Sequence, residues 1–290
     1  MLRLVLPKGS LEKATLELFE AADLHVQRSS SVDYKATIDD PRVEEVRILR
    51  PQEIPSYVAE GLFDVGLSGS DCVAETASDV VNLGELRYSK ATGLPIRVVL
   101  AVAGDSPVER PEDLPQGVRV ATEFPGLTSR FLAEKGIEAD VRFSYGATEA
   151  KVPDIADCIV DITETGRALR AAGLKIIDTI LISYTQMIAN KESYSDPDKR
   201  HAMDQLMTLL TGTMEARGKV LVKLNVAKEC FDRVLAVLPS AGSPTVSQLA
   251  DGGFAVESVV EKRTINTLIP ALKDAGATAI LELPISKIVP

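Results

Sequence analysis

The sequence predicts an α/β protein carrying a smaller α+β module at its C-terminal end. Three observations lead there. Short apolar runs bounded by turn residues alternate with amphipathic stretches over most of the chain, the pattern of α/β domains. After Gly218 the texture changes to a compressed β-α-β-α-β order of ferredoxin-like type. Finally, 290 residues are enough for two or three domains.

The elements follow in order. Leu2–Leu6 reads as a buried strand, turned by Pro7-Lys8-Gly9 into a helix from about Ser10, with Leu11, Ala14, Leu18 and Phe19 on one face. Val46–Leu49 and Phe63–Leu67 are strands with a short helix, Ile54–Glu60, between them. Ile96–Ala103 is long and β-branched, a strand able to carry the chain into another lobe. Val118–Ala121, Val141–Phe143, Cys158–Val160 and Lys175–Ile180 complete the strand set, with a helix near Thr128–Lys135 and a helical return after about residue 183. Asp196–Arg217 is helical, its Met203, Leu206, Met207 and Leu210 stripe reading as core. In the tail, Lys219–Val226, Phe254–Val260 and Ala279–Leu283 read as strands and Cys230–Leu238 and Leu268–Ala275 as helices. Pro270 places the start of the last helix close to it, or a kink there.

Composition excludes several function classes. With 32 Lys+Arg against 42 Asp+Glu the net charge is −10, so a delocalised basic field for nucleic acid or an anionic membrane is absent. A polyanionic ligand would have to be held by a few placed groups. Cys72, Cys158 and Cys230 are odd in number and far apart, which suggests a reduced cytosol rather than a disulfide framework. With only His25 and His201 and no CxxC, a zinc cage is not expected. No apolar stretch reaches a membrane span, and the run before Pro7 is too short for a signal peptide. The expectation is a cytoplasmic protein.

The segment from Asp157 through Asp161, Thr163, Glu164, Thr165, Gly166, Arg167 and Ala168 runs strand, then hydroxyl- and glycine-containing loop, then helix, closed by Gly173. Such a loop presents N–H groups and hydroxyls at a helix N-terminus, a ready anion site. Carboxylates beside it, here Asp157 and Asp161, suit ribose hydroxyls or a hydrated Mg²⁺. Spacing alone equally allows Thr165 to be a plain N-cap and both aspartates to be solvated. Lys8, Arg50 and Ser68-Gly69-Ser70-Asp71 follow the first three strands, at the C-terminal ends where open α/β sheets bind ligands. Each alone reads as a surface charge or turn; their convergence on one edge favours polyanion binding.

Several of these motifs resemble one family. Pro7-Lys8-Gly9, the block Arg50–Asp71, Val120–Pro125, Gly146–Glu149 and the loop Asp157–Leu169 are similar, in order, to ATP phosphoribosyltransferase, first enzyme of histidine biosynthesis. Leu238-Pro239, Ser243–Val246, Ala255-Val256 and Gly276–Leu281 resemble the regulatory domain of its long form, whose length argues against needing the partner subunit on which the short form relies. The resemblance implies a two-lobed catalytic part like a type II periplasmic binding protein: lobe I at 1–98 plus 183–212, lobe II at 99–182. A ferredoxin-like (ACT-like) regulatory domain at 213–290 would follow. It implies ATP and phosphoribosyl pyrophosphate (PRPP) as substrates, Mg²⁺ as cofactor, histidine as inhibitor, and dimers assembling into hexamers.

By the match, Glu164–Ala168 would cradle the ribose 5′-phosphate while Asp157 and Asp161 face the ribose diol or its Mg²⁺. Lys8, Arg50, Ser70 and Asp71 would meet ATP and phosphates. Asn225, Ala241, Thr245 and Ala279 would meet histidine. No nucleophilic residue is implied, because such a displacement rests on positioning and electrostatics. The chain departs from the family at Ser10, where Arg is usual, at Cys72, where an aromatic is common, and at Arg167-Ala168, which replaces a small residue and Thr. Two rival readings are a solute receptor of the same two-lobed shape, which would want a signal peptide or a fused DNA-binding segment, and a regulatory protein whose catalytic part has lapsed, for which Ser10 is the hint.

Overall fold

The computed structural model describes residues 1–30, 33–88, 95–239 and 243–289, in two compact units, Met1–Met207 and Thr208–Pro290. The first unit opens with β1 (Leu2–Pro7) and α1 (Glu12–Ala21), a 3₁₀ turn at Gly9–Leu11 joining them. β2 (Val26–Gln27), β3 (Lys35–Ile38), β4 (Val43–Leu49), α2 (Ile54–Ala59), β5 (Val65–Gly69), α3 (Ser70–Thr76) and β6 (Val81–Glu85) follow. A second group contains β7 (Ile96–Ala103), β8 (Val118–Thr122), α4 (Pro125–Glu134), β9 (Ala139–Phe143), β10 (Cys158–Thr163), α5 (Arg167–Ala171) and β11 (Leu174–Ser183). The chain then returns through β12 (Thr185–Ala189) and α6 (Lys191–Ser195) into α7 (Pro197–Ala216).

These strands build two sheets, one per lobe. The first has the order β2-β3-β4-β1-β5-β12-β6 and the second β11-β7-β10-β8-β9. In the first, β1 runs parallel to both β4 and β5, with Leu6 opposite Ile48 and Leu4 opposite Val65. In the second, β10 is parallel to β8 and β8 to β9, while β7 is antiparallel to both β10 and β11. Val, Ile and Leu strands buried on both faces are what helices covering both sides of a parallel sheet require. The lobe I core is centred on Leu2, Leu4, Leu6, Ile48 and Phe19, all fully buried; in lobe II it forms around Val98, Leu100, Val120 and Val160. The two-lobed α/β architecture expected of a type II periplasmic-binding-protein fold is therefore present.

Two elements of this unit differ from expectation. The return after residue 183 is not helical at first: β12 inserts antiparallel between β5 and β6, with all five residues buried. Burial on both faces removes the alternation that would have signalled it. The helix expected near Thr128 starts at Pro125, whose fixed φ and missing N–H suit a first helical position. Among the described residues no helix is long and apolar enough to cross a membrane.

The second unit holds the end of α7, then β13 (Lys219–Val226), α8 (Phe231–Val237), β14 (Thr245–Gln248), β15 (Phe254–Glu261), α9 (Ile265–Asp274) and β16 (Ala277–Pro284). Its sheet order β14-β15-β13-β16, antiparallel throughout, with α8 and α9 in the crossovers, is the ferredoxin-like arrangement. Val222, Leu224, Val256, Val234 and Leu272 fill the layer between sheet and helices. β14 escaped the sequence reading because its four residues are all exposed and carry no apolar period. α9 begins five residues before Pro270, correcting the expected start. Ile265, Leu268 and Leu272 fix its buried face, while Pro270 and Asn266 lie on the exposed one. The Asn266 carbonyl that Pro270 cannot serve therefore faces water.

Candidate functional site

Because β1, β4 and β5 are parallel, their C-termini share one edge, and Lys8, Arg50 and Ser70 follow directly from it. The Lys8 N–H donates to the Leu49 carbonyl at 2.6 Å, tying the first two turns together. Its ammonium lies 3.9 Å from the centre of the Tyr34 ring, a cation–π contact that restrains a flexible side chain. Sequence reading missed Tyr34, which lies on a loop with no motif to mark it. Gly9 takes a left-handed φ of 87° and donates its N–H to the Glu12 carboxylate at 3.3 Å. Glu12 also pairs with Arg28 at 2.8 Å. Arg50 is exposed beside Gly9.

Ser70 and Asp71 are placed differently from those cations. The Ser183 hydroxyl donates to the Asp71 carboxylate at 2.6 Å and accepts from the Asp71 N–H at 3.1 Å. Ser70 donates to the same hydroxyl at 3.2 Å, and its N–H donates to the Tyr184 carbonyl at 3.0 Å. Both residues fasten the end of β5 to the strand returning between the lobes. Arg87, on the outgoing crossing, lies over the Tyr184 ring at 4.3 Å. Residues 86–88 thus lie beside the returning strand, with the Leu86 N–H donating to the Thr185 carbonyl at 2.8 Å, and this junction is termed the hinge.

In lobe II, β8, β9 and β10 are parallel, so Glu123, Ser144 and the loop after Thr163 follow strands that end on one edge. The Thr163 hydroxyl accepts from the Gly166 N–H at 2.8 Å, and the Thr165 hydroxyl from the Arg167 N–H at 3.4 Å. Gly166 has a φ of 72°, a left-handed conformation that costs a residue with a Cβ but not glycine. The loop opens α5, whose first turn leaves the N–H groups of Ala168 and Leu169 without intrahelical acceptors. Thr163, Glu164, Thr165, Arg167 and Ala168 line one cavity of about 530 Å³, together with Ile96.

The hinge brings the two edges together. Thr163 pairs with Arg97 on β7, and the neighbouring Ile96 pairs with Ser183 on β11. Ser183 in turn holds Asp71 at the end of β5. The loop after β10 in lobe II and the C-terminal strand edge of lobe I therefore both adjoin the crossover.

The two aspartates of the loop segment separate. Asp161, on β10 close to the loop, is half-buried, and its carboxyl is pushed up. Desolvation is the main cause, against a hydrogen bond from the Ile162 N–H; the nearby charges of Glu123 and Glu149 add to it. Neither glutamate was picked out from the sequence as a site residue. Asp157 precedes the opposite end of β10, where Arg119 pairs with it at 2.6 Å and holds its carboxyl down. Four residues of extended chain amount to about 13 Å, so the structure does not bring Asp157 to Asp161 or to the loop. Among the described residues no group of three His, Cys, Asp or Glu side chains is arranged to hold a metal ion. Burial pushes the thiols of Cys72 and Cys158 up to about 12, so neither is a thiolate nucleophile.

In the C-terminal unit a cavity of about 430 Å³ is lined by Asn225, Lys228, Asp251, Gly253, Gly276 and Thr278, among others. Ala279 adjoins it, with a left-handed φ of 46° at a bulge in the β13–β16 pairing. Thr245 lies on β14 opposite Glu257, away from this cavity, and Ala241 falls outside the described residues.

Comparison with known proteins decides what this arrangement belongs to. A family model described as ATP phosphoribosyltransferase matches residues 50–212. The chain belongs to the ATP phosphoribosyltransferase family. A second model, the HisG C-terminal domain, matches residues 216–287, giving the long-form architecture. The protein named ATP phosphoribosyltransferase in Pelotomaculum thermopropionicum is 49% identical over 291 residues, covering 100% of this chain and 99% of its own. That of Desulforudis audaxviator is 47% identical over 290 residues, with 100% and 99% covered. Among solved structures, the ATP phosphoribosyl transferase (HisG:HisZ) complex from Thermotoga maritima contains a chain similar at a TM-score of 0.63 and 28% identity. The match covers 74% of this chain and 99% of that one, so about a quarter of this chain has no counterpart there. Family membership makes the protein a transferase and removes the receptor reading.

Proposed function

We propose that the protein condenses ATP with PRPP, adenine N1 displacing pyrophosphate from the ribose anomeric carbon to give N1-(5-phosphoribosyl)-ATP. This is the first committed step of histidine biosynthesis, carried out in the cytoplasm. The observation that supports the reading is a hydroxyl-glycine loop at the end of β10 in lobe II and two cations, Lys8 and Arg50, at strand ends of lobe I, on edges that Ile96, Ser183 and Asp71 connect. Two polyanions must be brought together by an acidic protein, and each lobe offers local groups suited to one of them.

The loop 163–168 would take the ribose 5′-phosphate, with Gly166 allowing close backbone approach, Arg167 adding a cation where the family has a small residue, and Ala168 lacking the family's usual hydroxyl. Lys8, held by Tyr34, and Arg50 would take phosphates of ATP. Asp161 would face the ribose diol and the substrate-borne Mg²⁺, whose charge would offset the leaving pyrophosphate. Glu123 and Glu149 make that corner the part of the site most favourable to a cation. Asp157, Ser70 and Asp71 support the architecture rather than touch substrate. The reaction then rests on orientation and preorganised charge, with no covalent intermediate on the protein.

Histidine would act as inhibitor through the C-terminal unit, with Asn225, Thr245, Ala279 and, outside the described residues, Ala241 as the contacts that the resemblance implies, in a homo-oligomer of dimers and hexamers. The test is pyrophosphate release by the purified protein with ATP, PRPP and Mg²⁺, with and without histidine. No release under any condition overturns the enzyme reading. Turnover indifferent to histidine overturns only the feedback, and truncation after Arg217 should abolish the response to histidine.

A further inference from the structure

The two lobes are joined at a second place, at the far end of the helix whose first residues, Ser70 and Asp71, meet Ser183 at the hinge. α3 of lobe I and α4 of lobe II meet end to end, and each helix end receives a charge from the other lobe. The Glu75 carboxylate, on α3, accepts from the Gly126 N–H at 2.9 Å and the Leu127 N–H at 2.8 Å, in the first turn of α4. In return the Arg130 guanidinium, on α4, donates to the Ala74 carbonyl and, at 3.3 Å, to the Glu75 carbonyl at the C-terminal end of α3. An anion at a helix N-terminus and a cation at a C-terminus are each the favourable partner for the helix dipole, and both pairings are charge-assisted. The approach needs glycine: a Cβ at Gly126 would come within 2.6 Å of the Glu75 carbonyl oxygen.

We propose that Glu75, Gly126 and Arg130 form an interlobe latch whose closing positions the two halves of the reaction site. This rests on the reading of the hinge-side edges as the place where ATP and PRPP meet. Glu75 and Arg130 touch neither substrate in this scheme; they are positioning residues. When the latch is broken the closed form is less populated, so apparent affinity falls by the fraction closed. Once both substrates are bound they hold the lobes together themselves. The cost therefore appears in KM and not in kcat.

The experiment compares Glu75→Ala, Arg130→Ala and Gly126→Ala with the wild type, using Glu75→Gln as the conservative variant that keeps one acceptor oxygen. Hydrogen–deuterium exchange should show faster uptake confined to residues 124–130 in all three disrupting variants, with the sheets of both lobes unchanged. KM for both substrates should rise roughly tenfold in Glu75→Ala, the scale of losing charge-assisted hydrogen bonds, while kcat stays within about twofold. Gly126→Ala is the sharpest variant, because it changes no charge and favours the helix itself. Glu75→Gln should recover most of the affinity. Unchanged exchange at 124–130 would overturn the latch, and unchanged KM with altered exchange would overturn its positioning role. Absence of wild-type turnover would instead remove the functional reading, and the exchange result would still decide whether the latch exists.

Discussion

Ser183 and Asp71, 112 positions apart, share a 2.6 Å hydrogen bond at the point where the chain re-enters lobe I. Ser183 is nearly fully buried and its one hydroxyl is met by Asp71 twice and by Ser70 once. A single oxygen thus binds the end of the returning strand to the end of β5. This explains how a lobe-II loop and lobe-I cations can belong to one site.

Replacing Ser183 with Ala should leave the Asp71 carboxylate and N–H short of a partner inside the hinge. The expected loss is about 1–2 kcal/mol, typical for a buried hydrogen-bonding group deprived of its mate. Urea unfolding followed by circular dichroism reads it; a midpoint equal to wild type would mean that water replaces the hydroxyl at no cost.

Asp64 predicts a pH dependence. Its side chain is essentially inaccessible and is met by Arg3 at 3.2 Å, Lys199 at 2.8 Å and the Ser193 hydroxyl at 2.7 Å. Burial pushes its carboxyl up, but the hydrogen bonds from Arg3, Lys199 and Ser193 outweigh that and hold it well below the usual range. A carboxyl whose pKa is lower folded than unfolded adds stability above its unfolded value of about 4, and the contribution fades as pH falls below that. Asp64→Asn should cost about 3 kcal/mol at pH 7, since it leaves two cations facing a neutral group. The cost should shrink between pH 4 and pH 2. A difference in urea midpoint that is constant with pH would rule this account out.

Gly166→Val tests the anion loop. At φ 72° a Cβ would come within 2.8 Å of Arg170 Nη1 and 3.1 Å of Ile176 Cδ1, and the left-handed backbone itself costs about 1–2 kcal/mol for a residue with a Cβ. PRPP affinity, measured by calorimetry, should fall at least about tenfold while ATP affinity changes little. Equal losses for both ligands would point to general unfolding of the lobe instead.

The local structure of this candidate site was legible where turn chemistry decides it. The turn residues after β1 and the hydroxyl-glycine loop after β10 are signals that act within a few residues of where they stand. What could not be read depends on distance. Spacing put Asp157 beside the loop, but an extended strand carries it to the far end and into the arms of Arg119. The hydrogen bonds of Asp71 were not legible either, because its partner Ser183 lies in another part of the sequence. β12 was hidden by burial on both faces and β14 by exposure on both. Pro270 misled because the buried stripe of Ile265, Leu268 and Leu272 outweighs one lost helix hydrogen bond on the wet side.

Asp161 separates a structural from a ligand-holding carboxylate. Its carboxyl is pushed up by burial, with Glu123 and Glu149 contributing. The sign is opposite to that of Asp64: a carboxyl whose pKa is higher folded than unfolded subtracts stability once it ionises, and the penalty vanishes as pH falls below the unfolded value. Asp161→Asn should therefore raise the melting temperature at pH 7 and converge on wild type near pH 4. If the penalty exists because the site is built for a cation-bearing substrate, Mg²⁺ with PRPP should raise the wild-type melting temperature more than that of Asp161→Asn, because only the charged side chain gains from the dication. Equal ligand-induced shifts would confine Asp161 to a structural role and move the cation-facing position to Glu123 or Glu149.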